Sequence, residues 1–293
     1  MPRDVTHVRV HKSVKIISRS AFFRCRNLVS VEMHDCVEVI EDQAFRYCVS
    51  LRGINLPGVR VIGKSAFNHC EELADVEFGE KLETVEGHAF VHTALRNIKL
   101  PNVRVIEDYV FHGCKHVTEV ELSEDLERIG GWAFQNSPLR RIVMPLKDNM
   151  FRKDVFYRCE NLSQVDLIGG VHKTVSSLLL GSWRNEMSDE IDRINRDLPY
   201  TPTYDKTTAI RQWMERVLER IEHYKSEHYI EAMSLLELAL WKANLDDNVG
   251  DVAAAREGVR VTRGRRKRAR KDRCITSGAS VVIKNVLPFL KLE

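Results

Sequence analysis

The sequence predicts an α+β repeat protein, in which a solenoid of about seven coils of 22–23 residues precedes a C-terminal α-helical domain. Three observations predict this fold. A small aliphatic residue followed by Phe recurs seven times, with successive Phe residues 21 to 23 positions apart. Each of these pairs is followed by a triplet of residues. Its first and third residues are apolar, and its middle residue is predicted to face outward. After residue 172 the apolar residues recur every three or four positions, which is typical of amphipathic helices.

The aliphatic-Phe pair marks one corner of each coil. We expect the Phe ring to fill the coil interior, and the Ala before it to let neighbouring backbones approach closely. Val110 and Val155 replace Ala, so the two coils that contain them are predicted to be locally wider. The pairs are Ala21-Phe22, Ala44-Phe45, Ala66-Phe67, Ala89-Phe90, Val110-Phe111, Ala133-Phe134 and Val155-Phe156.

The triplets predict short strands that stack in a parallel ladder. Alternation over three positions places two side chains inward and one outward. A coil of this length cannot bury its own apolar residues, so successive coils must cover one another. The triplets begin at Val31, Ile54, Val76, Ile98, Val120, Ile142 and Val165.

A cysteine or a small hydroxyl residue follows each Phe by three positions. Zinc ligands must converge, usually from close pairs, and a column of single cysteines one coil apart does not provide this. We therefore predict buried thiols, with no metal and no cofactor. A surface metal site at His112, Cys114 and His116, with His88 and His92 one coil earlier, is a weaker alternative. The column is Cys25, Cys48, Cys70, Thr93, Cys114, Ser137 and Cys159.

The pattern I-x-x-x-A-F-x-x-C-x-x-L-x-x-[VI]-x-[LIMF] is met from Ile40 through Leu56 and in most coils over about residues 5–168. It resembles the BspA-type leucine-rich repeat. The resemblance implies a leucine-rich-repeat solenoid that is used for protein–protein contact, and it does not imply catalysis. The chain begins inside a coil at Val5, so we expect either a partner to cover that edge or the N-terminus to be truncated. The sequence lacks phosphate-loop, dinucleotide, nucleophile-elbow and zincin motifs, and we do not predict an enzyme.

The remaining segments complete a four-part division. Residues 1–171 are predicted as the solenoid and residues 172–245 as a helical hairpin or bundle that caps it. Residues 246–278 are a linker with a basic segment, and residues 279–293 are an apolar tail that docks on the helices or on a partner. Residues 172–245 and the tail also resemble the C-terminal extension of many microalgal proteins with this repeat.

The net charge is unevenly distributed. Residues 263–273 (RGRRKRARKDR) carry +7, and because the whole chain carries +3 the other residues sum to −4. The basic segment has three interpretations: a nuclear address, binding to nucleic-acid phosphates, or pairing with the acidic solenoid face. With no secretory signal or bilayer-length apolar run, and with seven cysteines that lack close pairs, we expect a cytoplasmic or nuclear protein. The basic residues are Arg263, Arg265, Arg266, Lys267, Arg268, Arg270, Lys271 and Arg273.

The outward strand positions form the candidate binding site. They project from consecutive strands, lean acidic, and can contact one partner together. The predicted function is a non-enzymatic scaffold that binds a protein or peptide through this face. The alternative is a nuclear or nucleic-acid-associated protein that acts through residues 263–273. The predicted contact residues are Glu32, Asp75, Glu77, Lys99, Glu119, Glu121 and Arg141.

Overall fold

The computed structural model describes residues 4–168 and 181–223, together with residues 226 and 238. The chain divides into two compact units, Met1–Leu218 and Glu219–Glu293. The first unit contains a parallel β-solenoid followed by helical segments. In the second unit the described residues, 219–223, 226 and 238, are helical. The four-part domain division stays a prediction.

The described residues of the solenoid form fourteen short strands, two in most coils. A triplet strand and a two-residue strand alternate along the chain up to β13. The strands are β1 (His7–Arg9), β2 (Ile16–Ile17), β3 (Ser30–Glu32), β4 (Val39–Ile40), β5 (Gly53–Leu56), β6 (Val61–Ile62), β7 (Asp75–Phe78), β8 (Thr84–Val85), β9 (Asn97–Lys99), β10 (Val105–Ile106), β11 (Glu119–Glu121), β12 (Arg128–Ile129), β13 (Arg141–Pro145) and β14 (Gln164–Ile168).

The strands form two parallel layers that share the coils. The even-numbered strands β2 to β12 make one continuous six-stranded sheet. The other layer consists of two four-stranded sheets, β1-β3-β5-β7 and β9-β11-β13-β14. Within each sheet, paired residues are equivalent positions one coil apart, as in Val31↔Ile54 and Val120↔Ile142. The predicted parallel solenoid of about seven coils is confirmed.

A column of stacked Phe rings fills the solenoid interior. Successive rings from Phe22 to Phe156 lie 4.9–6.0 Å apart between centroids, with planes within 12° of parallel. Burying each ring contributes roughly 1.5–3 kcal/mol of hydrophobic stabilisation. The longest separations, 5.6 Å from Phe90 to Phe111 and 6.0 Å from Phe134 to Phe156, lead into the coils with Val instead of Ala. The distance between rings does not measure the width of a coil, so the local widening stays a prediction.

The corner around each Phe has an unusual backbone. The residues two before and two after Phe adopt positive φ, as Gln43 (57°) and Tyr47 (62°) do around Phe45. This left-handed region disfavours residues with a Cβ, so neighbouring coils must hold the corner in place. They do so through backbone bonds such as Phe45 N to Ala66 O at 2.8 Å.

Charges alternate along one column of the six-stranded layer. The position before each two-residue strand carries positive and negative side chains in turn. Arg60 Nη2 contacts Glu83 Oε1 at 2.9 Å, and Arg104 Nε donates to Glu127 Oε1 at 2.9 Å. Consecutive members also share backbone bonds of 2.8–2.9 Å, which fixes them one coil apart. The column is Lys15, Glu38, Arg60, Glu83, Arg104 and Glu127.

Two helices follow the solenoid, as the change of period predicted. Helix α1 spans Gly181–Asp197, a 3-10 turn spans Leu198–Tyr200, and helix α2 is described over residues 206–223. Trp213 of α2 is fully buried and donates its Nε1–H to Glu190 O at 3.0 Å. It is therefore a core residue.

The helices cover the open edge of the last coil with side chains that replace a missing strand. Asn195 Oδ1 accepts a hydrogen bond from Val165 N at 2.7 Å, and Asn195 Nδ2 donates to Val165 O at 3.2 Å. Thr207 Oγ1 accepts from Phe156 N at 2.9 Å, which satisfies the donor that the next coil would otherwise take. The exposed ladder edge is thereby closed by polar side chains.

Lys206 completes this cap from inside the protein. Its side chain is 1% exposed, and its Nζ donates to Glu160 O at 3.0 Å and Leu162 O at 2.7 Å. Burial lowers the pKa of this ammonium, because removal from water disfavours the charged form. The two carbonyl bonds offset that cost.

We expect Asn195→Ala to destabilise the protein by about 1–3 kcal/mol, because it leaves Val165 N and O without partners at the solenoid edge. Urea unfolding followed by circular dichroism measures the change. The matched control is Asn161→Ala, an exposed asparagine in the last coil that should shift the free energy of unfolding by less than about 0.5 kcal/mol. Equal effects of the two substitutions would contradict the capping role.

Candidate functional site

All seven predicted contact residues lie on one surface. We define the strand face as the outward side chains of β1, β3, β5, β7, β9, β11, β13 and β14. Alternate residues of a strand point to the same side, so the first and third positions of these strands share the face. Arg141 is part-buried and the other six residues are exposed. The residues are Glu32 of β3, Asp75 and Glu77 of β7, Lys99 of β9, Glu119 and Glu121 of β11, and Arg141 of β13.

Ion pairs between neighbouring coils engage four of the seven residues. Arg9 Nε contacts Glu32 Oε2 at 2.5 Å, and hydrogen bonding to this guanidinium lowers the pKa of Glu32. Lys99 Nζ lies 3.5 Å from Glu121 Oε2.

The fourth engaged residue is Arg141, whose guanidinium contacts Asp166 Oδ2 at 2.7 Å. The exposed pairs of Glu32 and Glu121 contribute little to stability, so a partner can displace them. Asp75, Glu77 and Glu119 form no ion pair within the described residues, and they are the carboxylates most available to a partner.

A groove of about 710 Å³ opens on the strand face at β7 and β9 and continues along the loops after β9 and β11. Three of the predicted contact residues line it. Its polar lining is mainly acidic, and the Ser123 hydroxyl accepts a bond from Asp125 N at 2.9 Å. The lining contains no His or Cys. The charged lining residues are Glu77, Lys99, Glu121, Glu124 and Asp125.

The groove coincides with a break in the strand ladder. Within residues 4–168 no backbone hydrogen bond joins β7 to β9, although every other neighbouring pair in this layer is joined. The layer of two-residue strands and the Phe corners continue across the same coils without interruption. Only the strand face is split, and the groove reaches the β7 side of the break through Val76, Glu77 and Phe78.

Two departures from the repeat meet at this break. Phe78 occupies a position that is Val in the first coil and Leu or Met in the others, and its ring lies edge-on to Phe90 at 5.6 Å. Phe78 is only part-buried, whereas Leu100 at the equivalent position is fully buried. In the following coil one residue separates Thr93 from Leu95, instead of the two found in most coils. One residue also separates Ser137 from Leu139, yet β11 and β13 are paired across that coil. The short turn alone therefore does not break the ladder, and at the break it is combined with the large Phe78 ring.

The cysteine column is structural, and its hydrogen bonds were not evident from the sequence. Cys48 Sγ donates to Phe22 O at 3.1 Å, and Cys70, Cys114 and Cys159 contact the Phe carbonyl of the preceding coil at 3.0–3.1 Å. Burial raises the pKa of Cys48 to about 12 and those of Cys114 and Cys159 to about 11. These thiols are therefore poor nucleophiles and poor metal ligands.

The weaker metal alternative is not assembled. Cys114 is buried and bonded to Phe90 O, whereas His112 is part-buried and His116 is exposed. The described residues instead bring His34, Asp35 and Cys36 together, with candidate ligand atoms within 4.8 Å of one another. Both His34 nitrogens are engaged, because Nε2 bonds to His11 O at 2.8 Å and Nδ1 accepts from Cys36 N at 3.1 Å. This arrangement favours a turn-stabilising histidine over a ligand.

A ladder of aromatic and histidine rings lines the Phe corners. Tyr47 stacks on His69 at 5.0 Å, His69 lies 4.9 Å from His92, and His92 meets His112 edge-on at 5.5 Å. Of these histidines, His92 and His112 were predicted only as weaker candidates for metal ligands, and no role was predicted for His69. Their recurrence at the coil spacing was the signal that could have revealed the stack.

The basic segment 263–273 and the tail 279–293 lie outside the described residues. Their predicted roles, and the expected cytoplasmic or nuclear location, stay predictions. Within the part of the chain that the structure describes, no helix combines the length and hydropathy that crossing a membrane requires.

Comparisons with known proteins identify the repeat. A sequence model described as the BspA type leucine-rich repeat region matches six copies, over residues 2–105 and 89–185. These matches together span more than half of the chain. They end at residue 185, so the resemblance of the later residues to microalgal extensions stays a prediction. The comparison with curated proteins gives no match.

Solved structures of bacterial leucine-rich repeat proteins are similar to the solenoid. A protein from Bacteroides ovatus is 22% identical, with 57% of this chain and 61% of that chain covered, at a TM-score of 0.39. A protein from T. pallidum is 24% identical, with 59% of this chain and 87% of that chain covered, at a TM-score of 0.41. A protein from Eubacterium ventriosum is 26% identical, with 41% of this chain and 32% of that chain covered, at a TM-score of 0.36. The chain therefore spans less than two thirds of the B. ovatus protein.

We expect one fast-reacting thiol among the six described cysteines, because only Cys36 is exposed. Titration with Ellman's reagent at about pH 8, where an ordinary thiol is partly ionised, measures this. A Cys274→Ser background removes the cysteine that lies outside the described residues. In that background, Cys36→Ser should abolish the fast reaction, and urea should expose the remaining thiols. A second fast thiol in the folded protein would contradict a closed cysteine column.

We expect His88 and His112 to weaken the fold in mild acid. Burial lowers the pKa of His88 and of His112, and the Nδ1 of His112 is buried without a hydrogen-bond partner. A folded pKa below the unfolded value means that stability is complete above about pH 6.5 and is lost as the pH falls through the folded pKa. The urea midpoint should therefore drop between about pH 7.5 and pH 5.5.

The groups that face these histidines must be considered with them. The pKa of His88 is lowered further by Lys64 and Arg46 and is raised by Asp108. The pKa of His112 is lowered further by His92 and is raised by its hydrogen bond with Gln135. Burial raises the pKa of Glu86, which acts on stability in the opposite direction. Comparing His112→Gln with the parent protein isolates the histidine contribution. An unchanged pH dependence in that variant would contradict the assignment to His112.

Proposed function

Because this chain belongs to the BspA-type leucine-rich repeat family, we propose that it is a non-enzymatic scaffold that binds a protein or peptide partner through the strand face. The observation that carries this proposal is the groove of about 710 Å³ on the face whose residues were predicted to contact a partner. A concave site with both apolar and charged lining is typical of a recognition surface.

The charges of the strand face support recognition over catalysis. Asp75, Glu77 and Glu119 are exposed on neighbouring strands and form no ion pair within the described residues. They can be paired by a partner without first breaking an internal contact. Covalent catalysis would require a nucleophile next to a base, and the groove lining offers only carboxylates, amides, one lysine and a hydroxyl already bonded to Asp125 N.

The alternative function depends on residues 263–273, which lie outside the described residues. No described feature favours nucleic-acid binding, so we do not propose it as the function.

We expect charge reversal on the strand face to abolish partner capture without unfolding the protein. The variant is Glu77→Lys/Glu121→Lys, which replaces two exposed carboxylates of the groove. The measurement is affinity capture from a native extract, followed by calorimetry with the purified captured protein. Loss of about tenfold or more in affinity is expected, because a cross-interface attraction becomes a repulsion.

The matched control for this experiment is Glu71→Lys/Asp148→Lys, which makes the same change in net charge at exposed positions outside the groove. It should retain binding, and both variants should retain the urea midpoint of the parent protein. If the strand-face variant captures the same protein with unchanged affinity, the strand face is not the binding site.

A further inference from the structure

The groove carries a marked excess of negative charge. Its lining contains four carboxylates and one ammonium group, and the ammonium of Lys99 is already 3.5 Å from Glu121. Asp75 and Glu119 add two exposed carboxylates on the same strands. An anionic partner would be repelled here, and a neutral one would remove water from carboxylates without replacing their interactions. The chemistry of the groove therefore favours cationic side chains.

The groove also has an apolar floor. Val76 and Phe78 of β7 are part-buried although they face inward, and Pro101 in the loop after β9 is exposed. The side chains of Leu100 and Leu122 complete this lining from the coils that follow. An apolar floor beneath an acidic rim fits a side-chain pattern in which an apolar residue lies next to basic residues.

The break in the ladder lies at the same place. Leu100 N donates to Glu121 O at 2.9 Å, and Leu122 N donates to Val143 O at 2.9 Å. The equivalent bond from Phe78 N to Lys99 O is missing within the described coils, because β7 and β9 are not paired. The two coils stay one strand spacing apart, since Phe67 and Phe90 stack at 5.1 Å and β8 pairs with β10, so a partner contacts the groove from outside the sheet.

From the charge of the groove and its apolar floor we propose that the groove binds an extended segment of a protein partner in which Lys or Arg side chains flank an apolar residue. The proposal rests on the proposed function, and it adds the chemical class of the partner. The basic side chains pair with Glu77, Glu121 and Asp125, and the apolar residue contacts Phe78 and Leu122.

A peptide-display experiment tests this class directly. The probe is a random library of peptides of about twelve residues, selected on the immobilised 293-residue chain, because such a length spans a standard strand with flanking residues. We expect Lys and Arg to be enriched about threefold or more over the input library, next to an apolar position. Selection at about 0.5 M salt should reduce the enrichment, because salt screens exposed charges.

Defined peptides then locate the binding. A fluorescent peptide taken from the selected pool is compared with its counterpart in which Gln replaces every Lys and Arg. Anisotropy titrations should show a Kd that is about tenfold higher for the Gln peptide and for the variant Glu77→Lys/Asp125→Lys. The control Glu71→Lys/Asp148→Lys should stay within about twofold of the parent, because screening removes most long-range effects of charge.

Three results would overturn the proposal. They are a selected pool without enrichment of Lys or Arg, a groove variant that binds as well as the parent, and a control variant that weakens binding as much as the groove variant. The outcome is separate from that of the capture experiment. If the strand face captures a protein but selects peptides that are not basic, the proposed function stands and the cationic class fails.

Discussion

The structure depends on contact between successive coils. No coil can cover its own Phe ring, and the column from Phe22 to Phe156 is buried only because each ring lies 4.9–6.0 Å from the next. The left-handed corners and the parallel strands also need a neighbouring coil, because their backbone hydrogen bonds run to it. The end of the column therefore needs a substitute neighbour, and Asn195 and Lys206 provide one with side chains that bond to the last backbone groups.

The ladder could be predicted because it depends on period alone. Equivalent residues about 22 positions apart must meet once the coils stack, so the Phe column and the strand positions follow directly from the spacing. The break between β7 and β9 could not be predicted in this way. It lies where Phe78 replaces a smaller side chain and where one residue is missing after Thr93, and such steric effects depend on how a particular pair of coils relaxes.

The positions of the candidate site residues on the strand face could be predicted from the sequence. Which of these residues form ion pairs could not. Alternation along a strand places Glu77 and Glu121 on the outer face whatever their surroundings. Whether a carboxylate is paired depends on side-chain conformations one coil away, so the contacts of Glu32 with Arg9 and of Arg141 with Asp166 appear only in three dimensions. The same holds for the cysteine column. The burial of the cysteines could be predicted from the repeat, whereas their hydrogen bonds to the Phe carbonyls could not.

The alternating column from Lys15 to Glu127 restricts how such an array can change in length. Loss or gain of a single coil would place two side chains of the same sign against each other at the junction, whereas loss or gain of two coils preserves the alternation. Insertions and deletions in relatives of this chain should therefore be accepted mainly in even numbers of coils. The near-repetition of LPGVRVIGKSAF at residues 56–67 as LPNVRVIEDYVF at residues 100–111 has the two-coil step that this restriction favours.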